Sequence, residues 1–169
     1  LSLARGEYVD AIDKLYPMAT LYWGDIAYIA ERVLTTDELK TFVDAKVAPS
    51  NAKVDFNDPY AQLPSAMLLR NLLARRLMRE GRYNEAMEYF GNPKIRSKAQ
   101  SYATAMHDAD AAWGRVDRAQ ALFAAALLAR SSGIDILGSE AAPDFQNLGG
   151  MFPGGLGQEL PEGAFLVKV

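Results

Sequence analysis

Along this chain the apolar residues fall at helical intervals, so that polar and apolar positions sort onto different faces of successive helices. Residues 21–33 (LYWGDIAYIAERV) read as one such amphipathic helix. Thr35 and Glu38 then stand three apart as a capping box, with Leu34 and Leu39 placed as its hydrophobic staple. This predicts a second helix that runs to about Val47 and stops before Pro49. Leu1 to Arg5 read as the end of a helix whose start is missing, as in a piece processed or excised from something longer. Residues 48–64 hold Pro49, Pro59 and Pro64 and form the expected internal linker.

A glycine-centred pattern occurs three times. RGEYVDAIDKLY has Gly6, Tyr8, Ala11 and Leu15; EGRYNEAMEYF has Gly81, Tyr83, Ala86 and Phe90; WGRVDRAQALF has Gly114, Val116, Ala119 and Phe123. Each glycine is expected to end one helix in the left-handed conformation, which costs it nothing for lack of a Cβ. The bulky residue two positions on folds back over the break, and the alanine lets two antiparallel helices approach closely. Each stretch is thus read as the hinge of a helical hairpin.

The segment NLLARRLMREGRYNEAMEYF resembles a tetratricopeptide repeat, whose helix pairs of about 34 residues carry this spacing of glycine, aromatic, alanine and aromatic. The first-helix positions of that family fall on Leu73, Ala74 and Leu77. Around Gly114 they fall on Met106, His107 and Asp110, of which only the first is suitable, and the family's closing proline is missing. The resemblance covers residues 1–17 and about 65–131. It implies an all-α solenoid of stacked hairpins with degenerate repeats, in which the first helix of each pair lines a concave groove. Asn71, Arg75 and Arg79 fall where that groove should be, so they are the partner-binding residues the resemblance implies, holding a peptide's carboxylate or backbone. The alternative for the cluster Arg70, Arg75, Arg76, Arg79 and Arg82 is a solvated face partly neutralised by Glu80, Glu85 and Glu88.

From Gly133 onward glycines crowd the chain, and no helix is expected there. Ile134, Ile136, Leu137, Phe145, Met151, Phe152 and Phe165 are nonetheless too apolar for a plain linker, so much of this tail is expected to pack on the last hairpin or a partner. The final AFLVKV reads as a short strand-like run.

Composition narrows the chemistry. A formal charge of -3 from 18 basic and 21 acidic residues gives no case for nucleic-acid binding. The absence of cysteine excludes disulfides, thiolate metal sites and cysteine nucleophiles, and suits cytoplasm and periplasm equally. The longest apolar run, ALFAAALLA at 121–129, is too short to cross a bilayer. His107, the only histidine, shares a helix face with Asp110, but two ligands make no catalytic metal site, so a solvated or packed histidine is expected. No nucleophile elbow is present. In DFNDPY, Asp55, Asn57 and Asp58 read as an Asx-type turn rather than a calcium loop, and GGMFPGGLG lacks the lysine of a phosphate loop. Glu85 and Glu88 read as a solvated exterior. Tyr16, Tyr22, Trp23, Tyr28, Tyr83, Tyr89, Phe90 and Trp113 read as packing, with one or two left exposed as anchors.

The expectation is therefore an all-α chain: N-terminal hairpins over 1–47, a linker over 48–64, tetratricopeptide-like hairpins over 65–132 and an irregular tail over 133–169. Its expected work is non-enzymatic, with no cofactor or metal: a soluble interaction or scaffold module, part of a larger bacterial repeat protein, that binds a protein or peptide. The rivals are a structural subunit whose tail is ordered by a neighbour, and a helical enzyme or ligand-binding domain using Arg75, Arg79 and His107.

Overall fold

The computed structural model describes residues 6–58 and 61–138. The helix end read at residues 1–5, the tail beyond Gly138 and its strand-like terminus lie outside the described residues. Among those described, the elements are all helical: α1 (Tyr8–Leu15), α2 (Trp23–Tyr28), α3 (Thr36–Lys46), α4 (Ser65–Arg79), α5 (Tyr83–Ala86), α6 (Pro93–Ala111) and α7 (Arg115–Ile136). A short 3-10 turn, Tyr16–Met18, follows α1, and a π-helical turn, Ile29–Val33, prolongs α2. The single helix read over 21–33 is thus present with a widened last turn.

Helix α4 is the hub. It is built from Leu, Met, Ala and Arg, which favour the helix intrinsically, and it contacts α2, α3, α5, α7 and the π turn. Leu69, Leu72, Leu73, Ala74 and Leu77 are fully buried, in one core with Ile12, Ile26, Leu39 and Val43. Tyr16 stacks edge-on against Phe42 in this core, ring centroids 5.9 Å apart.

The capping box ahead of α3 forms as read. Thr35 N–H donates to Glu38 Oε2 at 2.8 Å, and Glu38 N–H donates to Thr35 Oγ1 at 3.2 Å. Leu34 and Leu39, the residues placed as the staple, are both buried in the same core. Asn57 N–H donates to Asp55 Oδ1 at 2.9 Å, which is the Asx turn expected in the linker.

Three departures have local causes. Gly81 sits at φ 75° after α4, and the bonds Gly81 N–H to Met78 O (3.1 Å) and Arg82 N–H to Leu77 O (2.9 Å) close a Schellman motif. Gly6 is left-handed too, at φ 75°. Gly114 is not: at φ -90° and ψ 143° it is the extended N-cap of α7. A Cβ there would stand 2.8 Å from Asp117 Oδ2, the end of a flexible side chain folded back from the first turn, so a larger residue would displace that carboxylate and would meet no left-handed backbone strain.

The helix expected after Gly81 lasts one turn. Tyr89 and Phe90 are buried, and the Tyr89 hydroxyl donates to Asp44 Oδ1 at 2.6 Å, which draws the chain onto α3 and α4. Asn92 then caps a new helix through Lys94 N–H at 2.9 Å, with Pro93 at its first position. The long hairpin is therefore α6 with α7, which pack along each other across a three-residue connection.

Finally, α7 runs through Gly133 to Ile136, beyond the limit read from the glycine. A helical glycine costs about 1 kcal/mol. Complete burial of Ile136, with Leu137 packed against the same core, offsets that cost. Gly138, left-handed at φ 71°, ends the helix.

Candidate functional site

The arginines of α4 reach backbone carbonyls that helix ends leave without intrahelical donors. Arg70 donates to Val47 O at the end of α3 (3.2 Å) and to Glu88 O (3.1 Å), with its guanidinium 4.8 Å above the Tyr89 ring. Arg76 donates to Leu34 O (2.7 Å) and to Ala30 O, at the end of the π turn. Burial opposes the Arg76 charge and holds its pKa below the usual value, and Glu31 nearby pushes the other way. Arg79 donates to Leu137 O at the end of α7 (2.6 Å) and ion-pairs with Glu31. Cations at helix C-termini also meet the negative end of the helix dipole. One helix thus caps its neighbours.

This fixes the places of the three residues read as partner-binding. Asn71 is buried, and its Oδ1 accepts Gly91 N–H at 2.9 Å. Arg75 is buried within the α4 packing. Arg79 is 13% exposed and its partner Glu31 3%. Asn71 and Arg79 are engaged in contacts within the fold and Arg75 is buried, so a ligand reaching them would displace internal contacts. The solvated-face alternative describes Arg82 better, since it pairs with Asp37 and Glu85 at the surface.

His107 is exposed on α6, its Nδ1 3.8 Å from Asp108. It lines a shallow recess of about 240 Å³ with Gly81, Tyr83, Asn84, Gln100 and Thr104. Arg79 lines another recess, with Glu31, Arg32, Arg76 and Glu80. Arg79 and His107 are therefore not brought together. Among the described residues, no three His, Asp or Glu side chains are grouped to hold a metal, and no helix is long and apolar enough to cross a membrane.

Sequence reasoning missed the feature that stands out in space. Between Arg118 and Arg130 helix α7 carries no charged residue, and apart from Gln120 that stretch is apolar around the whole circumference. A helix of that kind belongs in an interior. Here α6 covers one side, where Ala125 and Ser132 are buried. On the other side Val116, Phe123, Leu127 and Ile134 are 67%, 66%, 50% and 56% exposed. Trp113, in the connection at the hairpin tip, is wholly exposed. The signal was present in ALFAAALLA, which has more apolar positions than one packing face can use.

Burial also raises the pKa of Tyr16, Tyr83 and Tyr89, for Tyr89 with a further push from the Asp44 carboxylate it bonds. A raised folded-state value contributes stability that is whole below the unfolded tyrosine value of about 10 and is lost as pH rises through the folded value. Denaturant midpoints are accordingly expected to fall in the alkaline range. Phenolate absorbance should show part of the tyrosines titrating later in the native protein than in denaturant, and superimposable curves would contradict the burial of Tyr89 and the part-burial of Tyr16 and Tyr83.

Comparison with known proteins returns no match to the chain among family models, curated proteins or solved structures.

Proposed function

We propose that this chain is a non-enzymatic protein-interaction module, on a degenerate tetratricopeptide-like plan of helical hairpins. The supporting observation is the open apolar side of α7, flanked by Trp113. Large apolar side chains exposed in a row along one helix cost solubility unless a partner covers them, and aromatic anchors are enriched where partners bind. The reading moves the docking surface from the buried Asn71 and Arg75 and the part-buried Arg79 to the outer face of the last hairpin. That Arg79 and His107 line different recesses supports the non-enzymatic reading over its rival.

The double variant Phe123→Asp, Leu127→Asp tests it. Both side chains are largely exposed, so the thermal midpoint is expected to stay within about 2 °C of wild type. Association should be lost, whether measured as self-association of the pure chain or as retention of proteins from its native source. A variant that matches the parent in both measurements would remove the reading.

A further inference from the structure

Resting on the interaction reading, we propose that the partner of the α7 face is a second copy of this chain, docked antiparallel through α7 about a twofold axis.

The argument begins with spacing. Val116, Phe123, Leu127 and Ile134 lie at intervals of seven, four and seven, a palindrome centred on residue 125. Stepped at 3.6 residues per turn, all four fall within about 20° of the direction opposite Ala125, the residue buried against α6. An antiparallel mate centred at the same level sets Val116 against Ile134 of the second copy and Phe123 against Leu127 of the second copy. Each contact then occurs twice, as a closed twofold interface requires. Gln120 and Arg130 stand about 40° to either side of the stripe as its polar rim, and the small Ala119 lies next beside it.

Orientation follows from charge and shape. A parallel pair in register would bring Arg130 level with its own copy, whereas the antiparallel pair sets Arg130 level with Gln120. Antiparallel helices also align their dipoles favourably. The body of the protein is fastened to the far end of α7 through Ile136 and the Arg79 bond to Leu137 O. Antiparallel docking therefore places the two bodies at opposite ends, while parallel docking would crowd them together. Trp113, 21 residues before Ile134 along the chain, comes level with the end of the second copy's α7, where it gains cover.

Size sets the strength. The 22 residues of α7 span about 33 Å, so a strip one helix wide is smaller than the roughly 800 Å² per partner of a standard interface. A reversible dimer with a dissociation constant on the order of micromolar is the matching expectation.

The full chain has no cysteine, so single cysteines report without background. V116C and I134C chains, checked for native circular dichroism, are treated separately and mixed with a short bismaleimide. The mixture is expected to cross-link into a dimer, while neither variant alone does. Sedimentation of wild type over about 1–300 μM should show monomer passing to dimer, with a blue shift of Trp113 emission in a W23F background. Efficient cross-linking of each variant with itself overturns the antiparallel arrangement. A monomer at all concentrations overturns the dimer. If F123D/L127D also loses proteins retained from the native source, the interaction reading survives that failure with another occupant. If nothing associates, both readings fall.

Discussion

Arg79→Ala is expected to lower the unfolding free energy by about 3 kcal/mol. The guanidinium spans two acceptors through separate nitrogens: Nη1 donates to Leu137 O at 2.6 Å, and Nη2 pairs with the buried Glu31 carboxylate. Deleting it takes the closest partner from an anion that is 3% exposed and releases the end of α7 from the core at one stroke. Breaking a buried pair from one side costs far more than the pair contributes on balance, because desolvation of the surviving charge is no longer compensated by that partner. Arg79→Lys should recover only part of the loss, since a single ammonium cannot serve both acceptors in the planar geometry of the fork. Denaturant titration of the three proteins measures this. A loss within about 0.5 kcal/mol of zero, the range of ordinary surface changes, would mean that Arg79 is not a clamp.

Leu73→Ala and Leu127→Ala form the second prediction, the same chemical change at two helical positions. Leu73 is fully buried on α4, so its truncation is expected to cost about 2–5 kcal/mol through lost transfer energy and the cavity left behind. Leu127 is 50% exposed on α7, so below the concentration at which chains pair its truncation should cost no more than about 0.5 kcal/mol. Unfolding curves on dilute protein separate the two. Equal costs would show that the outer side of α7 is part of a core.

How much of this was legible in the chain depends on the range of the interaction. Local chemistry was readable: Thr35 and Glu38 cap a helix through each other, Asp55 and Asn57 form a turn, and Gly81 ends α4. The brevity of α5 was also encoded, since asparagine followed by proline at 92–93 is a start signal for the next helix. The repeat spacing hid it. What could not be read is long-range. The carbonyls that Arg76 and Arg79 serve lie 42 to 58 residues away, and no spacing rule connects them. For the same reason an arginine-rich helix reads equally well as groove, solvated face or internal clamp until its neighbours are placed. Gly133 failed as a stop because Ile136, three residues further, is buried, and tertiary packing outweighs a propensity worth about 1 kcal/mol.

The most direct measurement is the alkylation rate of a single thiol. In an L127C chain at sub-micromolar concentration, the native protein should react within about threefold of the same chain in denaturant, because the side chain faces water without local opening. Protection by about a hundredfold or more would mean that something covers α7 in the lone chain, and the proposed docking face would not exist.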